Sequence, residues 1–244
     1  MDDSAILLVG HGSHLDPNSS APVHRHAQTL RERGHGEVRT AFWKEEPSLA
    51  RAFDGVDALD VTVVPIFMSS GYFTEEVLPR ELRLGGRLSV VEGRTVRYTS
   101  PIGAHPALAR VIDSRAGEAG ATKESAVVVL GHGTPRNPRS ARNVYAQAER
   151  VRAFGHYAEV ATVFMDQEPH MSTVYSLVDA ANIVVVPLFV ADGWHVGQTI
   201  PEELAIGHTG LRPDGRRLHY AAPVGTHPLV AEVIEELVEE ARAW

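Results

Sequence analysis

AILLVGHGS at residues 5–13 returns as AVVVLGHGT at residues 126–134, an offset of 121. After a one-residue slip the echo continues at a constant offset of 122. Phe42, Glu46 and Pro47 recur as Phe164, Glu168 and Pro169, Pro79 and Glu81 as Pro201 and Glu203, and PIGAHP (101–106) as PVGTHP (223–228). Solenoid repeats are far shorter, so two long collinear copies describe two lobes of one fold related by internal duplication. Each copy opens with an apolar run that stops at Gly-His-Gly, the pattern of a strand that turns sharply and exposes an imidazole at its tip.

The segments that follow alternate between strand and helix. Ile6 to Val9, Val38 to Phe42, Val61 to Phe67 and Val96 to Tyr98 are expected strands; 21–32, 49–53, 75–82 and the stretch from Pro106 to about Gly117 are expected helices. The second copy repeats this with strands at 126–130, 160–164, 183–189 and 218–221 and a closing helix at 229–243. Runs apolar on consecutive residues suit strands covered on both faces. Alternating β and α elements with short links then predict an α/β fold with an open, doubly wound parallel sheet in each lobe. The polar stretch GEAGATKES (117–125) reads as the linker, giving lobes at 1–117 and 125–244, each near the commonest domain size.

Composition narrows the chemistry. A hydrophobic fraction of 43% with 22% charged residues is that of a soluble globular protein, and no apolar run is long enough to predict a membrane span. The acidic start MDDSAILLVG lacks the features of a secretory signal, so a cytoplasmic location is expected. With no cysteine, disulfides, thiolate zinc sites and iron–sulfur clusters are excluded, and any metal must sit on imidazole and oxygen. A net charge of −8 argues against a nucleic-acid partner. The Gly-His-Gly loops lack the Lys-Ser or Lys-Thr pair and the Gly-x-Gly-x-x-Gly spacing of nucleotide-binding loops, so no nucleotide is expected.

Ligands of such sheets bind beyond the carboxyl ends of the strands, and the chemistry-bearing residues fall there. In the second copy, His132 follows the first strand, Asp166 the second and His195 the third, just before an expected helix start. Two imidazoles and a carboxylate at one sheet edge form a candidate site for a divalent cation with open positions. His24 and His26 are two apart on a helix and do not share a face, so they predict no second site. His105 and His227 stand before proline at corresponding places, which predicts a shared structural role.

The VGHGS and LGHGT openings, the Phe-x-x-x-Glu-Pro segments and the Pro-Leu-Phe…Gly-x-His…Ile-Pro-Glu-Glu-Leu segment together resemble the class II tetrapyrrole chelatases, the CbiX/SirB sirohydrochlorin chelatase family. The resemblance covers nearly the whole chain. It implies two flavodoxin-like lobes with a cleft between them and insertion of Co2+ or Fe2+ into sirohydrochlorin on the way to cobalamin or sirohaem; imidazole and carboxylate ligands tolerate Ni2+ as well. It also implies His132, Asp166 and His195 as the metal site, with both histidines catalytic. The first copy keeps His11 but carries Lys44 and Phe73 where the second has Asp166 and His195. One working metal site is therefore expected, because a lysine repels a cation and phenylalanine has no donor. Thr199 stands where the family often has an acid.

His11, Ser13, Ser69, Ser70, Tyr72 and Phe73 offer hydroxyls and an aromatic face to a flat macrocycle, and Lys44, Arg80, Arg136, Arg139 and His14 are candidates to meet its carboxylates. With two lobes in one chain, a monomer suffices to build the cleft, and a homodimer is the alternative. Two other readings stay open: a non-catalytic metallochaperone or tetrapyrrole sensor on a decayed chelatase, and a phosphate-ester enzyme using His11 and His132.

Overall fold

A computed structural model of the 244-residue chain describes residues 4–14, 16–134, 140–193, 200–204, 210–211 and 214–244. In chain order the elements are β1 (Ser4–Gly10), α1 (Ala21–Glu32), β2 (Glu37–Phe42), β3 (Asp60–Pro65), α2 (Leu78–Glu81), β4 (Leu88–Val91), β5 (Arg94–Tyr98) and α3 (Leu108–Glu118). They continue with β6 (Ala126–Gly131), α4 (Ser140–Phe154), β7 (Glu159–Phe164), α5 (Val174–Leu177), β8 (Asn182–Pro187), α6 (Ile200–Glu203), β9 (Arg217–Tyr220) and α7 (Val230–Arg242). Among the described residues no helix is long and apolar enough to cross a membrane.

The strands form two sheets, ordered β2-β1-β3-β5-β4 and β7-β6-β8-β9. All pairings are parallel except β4 with β5. Val61, Val63 and Val64 in β3 and Val184, Val185 and Val186 in β8 are fully buried, as central parallel strands covered on both faces require. Both strands end at a proline, which brings no N–H to the ladder.

Strand β4 departs from the all-parallel expectation. It pairs with β5 as a hairpin across Glu92 and Gly93, both at positive φ (51° and 79°), the geometry of a two-residue turn that matches strand twist. The expected helix at 49–53 is a 3-10 turn over Leu49–Arg51, and the one at 75–82 is a π-turn over Phe73–Val77 continued by α2.

The compact units do not coincide with the sequence repeats. One comprises Met1–His105 with Pro228–Trp244, the other Pro106–His227. The helix after Pro106, expected to close the first lobe, instead packs as α3 on α4 and β8, while α7 packs on α1, β3 and β5. Each lobe thus takes its last helix from the other repeat. Helix α7 buries Val230, Val233, Ile234, Leu237 and Val238. At ~1.5–3 kcal/mol per side chain this is on the order of 10 kcal/mol, as large as the net stability of a typical domain.

The crossing points are His105-Pro106 and His227-Pro228, and the duplicated histidines have the structural role their repetition predicted. Both are 5% exposed. His105 Nε2 lies 3.1 Å from Glu240 Oε1 on α7, and His227 Nε2 lies 3.3 Å from Glu118 Oε1 on α3. Each therefore holds the incoming helix of its own unit.

Candidate functional site

At the second sheet's carboxyl edge, β6 ends at Gly131 and delivers His132. Gly133 follows at φ +72°, a left-handed turn that side-chain-bearing residues rarely adopt, and a Cβ there would come within 2.5 Å of Gln167 Cγ. Gln167 Oε1 in turn accepts from Thr134 N at 3.0 Å, closing the loop over the strand tip. The β7 tip is tied to the same place, with Asp166 N donating to His132 O at 3.0 Å. This brings Asp166 beside the imidazole: Oδ2 lies 3.3 Å from His132 Nδ1, and both side chains are more than half exposed. Nδ1 also lies 2.9 Å from Gly133 O. Two oxygens therefore face Nδ1, an arrangement that suits a proton on that nitrogen.

The first lobe repeats the frame with different chemistry. Gly12 stands at φ +67°, Glu45 Oε2 accepts from Ser13 N at 2.9 Å, His11 Nδ1 lies 2.8 Å from Gly12 O, and Lys44 N donates to His11 O at 2.8 Å. Where Asp166 meets His132, the Lys44 ammonium instead sits 5.3 Å from the centre of the Trp43 ring. Phe73 fills the remaining space. Its ring stacks at 6.0 Å on Phe67, lies 5.2 Å from His11 and 6.1 Å from Trp43, and meets Tyr72 edge-on at 6.3 Å. The result is an aromatic floor with one cation at its margin.

Of the residues expected at the site, the structure thus brings together His132 with Asp166, and His11 with Phe73 and Tyr72. Ser13 is part of the loop closure and also accepts from Asp16 N at 3.2 Å, so its hydroxyl serves the turn. Ser70 lines a cavity together with Leu84, Arg87, Tyr98 and Ser100. Arg80 is held by Glu81 at 2.9 Å, and that hydrogen bond raises its guanidinium pKa further. His195, Arg136, Arg139 and Thr199 lie outside the described residues. Among the described residues, no three histidine or acidic side chains gather into a metal-ligand set.

Three features escaped sequence reasoning. Glu45 and Gln167 close the two histidine loops, which only their equivalent place in both repeats signals. Trp43 and Phe67 complete the aromatic floor. On the second lobe, His170 Nε2 lies 3.3 Å from Glu203 Oε1 and Tyr175 Oη donates to Leu204 O at 2.8 Å, fastening α6; the first lobe has Ser48 and Phe53 at the places of His170 and Tyr175.

The CbiX family model matches residues 5–119 and again 126–241. A probable sirohydrochlorin cobaltochelatase of Halobacterium salinarum is 41% identical over 269 residues, covering 98% of this chain and 92% of its own length. The solved structure of DR2241 from Deinococcus radiodurans, a multi-domain protein with structural similarity to chelatases and two additional novel domains, matches at 35% identity with a TM-score of 0.85 over 96% of this chain. This chain spans about half of that protein, 54% of its length. SirB from Bacillus subtilis, solved with Fe3+, matches at 22% identity with a TM-score of 0.80, over 98% of this chain and 96% of its own, a likeness of fold.

Proposed function

The chain belongs to the CbiX family, and on that premise we propose that it is a metal chelatase that inserts Co2+ or Fe2+ into sirohydrochlorin or a closely related tetrapyrrole, in cobalamin or sirohaem formation. The observation that carries the reading is the His132–Asp166 pair at the tips of β6 and β7, set against His11 and Lys44 in the duplicate lobe. One copy presents an imidazole backed by a carboxylate. The other carries a lysine at the matching position, whose ammonium lies by the Trp43 ring and whose charge opposes a cation.

Insertion requires that the cation shed water, that two pyrrole protons leave and that the ring nitrogens meet an incompletely coordinated ion. With Nδ1 committed to oxygen acceptors, His132 offers Nε2 as the atom that ligates the cation or takes a pyrrole proton. Asp166 acts through His132. A carboxylate on the far nitrogen orients the ring, an outer role in place of the direct ligation expected from sequence. His195 is proposed as the second ligand on the family resemblance. Phe73, Tyr72 and Trp43, gathered by edge-to-face contacts at 6.1 and 6.3 Å, offer aromatic surface to the flat face of a macrocycle.

The test is spectroscopic. Protein at a few per cent of the sirohydrochlorin concentration, supplied with Co2+, is expected to convert all of the tetrapyrrole to its metallated spectrum, and His132→Ala to abolish the conversion. A shift that stops at one equivalent per protein would replace the enzyme with a metal or tetrapyrrole carrier.

A further inference from the structure

We propose that a cavity in the first lobe receives one carboxylate arm of the tetrapyrrole and that Arg87 is its counter-charge. The inference rests on the chelatase reading and names a contact that reading does not contain. The cavity measures about 630 Å3 and opens at the carboxyl ends of β3 and β5, bounded by Ser70, Leu84, Arg87, Tyr98 and Ser100. Its volume is in the range of small-molecule sites. It shares a wall with the aromatic floor: Phe73 opens the π-turn Phe73–Val77, and Thr74 and Glu75 of the same turn line the cavity.

The walls are built rather than collapsed. Tyr98 Oη donates to Thr74 O at 2.7 Å, and burial pushes its phenol pKa up, keeping the hydroxyl a neutral donor. Tyr98 N donates to Arg87 O at 2.8 Å, and the Gly85 and Gly86 amides are taken by Ser89 Oγ at 3.0 and 3.2 Å. That leaves Arg87 as the one cation of the lining. Other arginines on or beside this hairpin all face carboxylates: Arg83 and Arg94 reach Glu92, and Arg97 reaches Asp60. Arg87 faces none among the described residues. Its guanidinium instead lies 3.9 Å from the centre of the Trp244 ring, stacked on an apolar plate that fixes its place while leaving its N–H groups to an incoming acceptor. Glu75 is the one acid of the lining, and its charge opposes a second anion there.

Equilibrium binding of metal-free sirohydrochlorin, followed by its absorbance, tests this without requiring turnover. Arg87→Ala is expected to weaken binding about tenfold, the loss of one ionic hydrogen bond, with Arg87→Lys recovering part of it. Steady-state assays should show the same rise in KM for the tetrapyrrole, with kcat and the KM for Co2+ unchanged. Equal affinity in wild type and Arg87→Ala overturns the proposal. So does a variant that loses only binding of glutarate, a free dicarboxylate, because the cavity would then serve a separate small acid. Failure of the wild type to turn over, with the affinity difference intact, would sink the chelatase reading and leave the cavity assignment standing.

Discussion

Replacing Gly133 with alanine, beside the same change at Gly12, separates what the histidine loops do for the fold from what one of them does for the cation. Both glycines sit at positive φ, so a Cβ incurs ~1–2 kcal/mol of backbone strain. The added carbon would also approach Gln167 Cγ to 2.5 Å in one lobe and Glu45 Cγ to 2.7 Å in the other. Those side chains are flexible enough to swing away, but doing so gives up the acceptor for Thr134 N or Ser13 N, costing about 1 kcal/mol more. Each variant should therefore lose about 2–3 kcal/mol, a fall in Tm of roughly 4–12 °C for a chain of this size. The functional consequences should differ. Gly133→Ala moves the backbone that aims His132 at Asp166, so Co2+ affinity measured by calorimetry should drop at least severalfold, whereas Gly12→Ala should leave it near wild type. Equal losses of Co2+ affinity in the two variants, or a Gly133→Ala protein as stable as wild type, would refute the reasoning.

Asp166→Asn keeps the shape and removes the charge behind His132; it should lower kcat at saturating Co2+, with Asp166→Glu restoring part, as steady-state metallation assays would reveal. The Glu118–His227 contact predicts a modest acid sensitivity. Burial would raise the Glu118 carboxyl, but Arg115 at 2.7 Å and His227 outweigh it and hold the pKa below the ordinary carboxylate value. A depressed acid stabilises the fold above its unfolded pKa and loses that contribution as pH falls through the folded value. With the side chain 53% exposed, Glu118→Gln should therefore cost less than about 1 kcal/mol at pH 7, and its urea midpoint should converge with wild type as the pH falls below the ordinary carboxylate range.

The duplication, the strand positions and the placement of both histidine loops were legible in the sequence, because each depends on neighbours in the chain. An apolar run with Gly-His-Gly after it ends a buried strand whatever packs above it, and Lys44 and Phe73 differ from Asp166 and His195 in type. The antiparallel β4 was missed because Leu88 and Val90 point to solvent, at 54% and 78% exposure, so no run of buried residues marks the strand.

Which sheet receives which final helix was decided only by tertiary structure. Helices α3 and α7 follow the same Pro-x-Gly-x-His-Pro turn and bury similar apolar stripes, so either could cover either sheet; the route of the chain beyond His105 and His227 makes the choice. The Nδ1 contact of His132 with Asp166 and the stacking of Arg87 on Trp244 are likewise invisible to spacing. They join residues 34 and 157 positions apart, and nothing in the local pattern of either partner encodes the distance that folding removes.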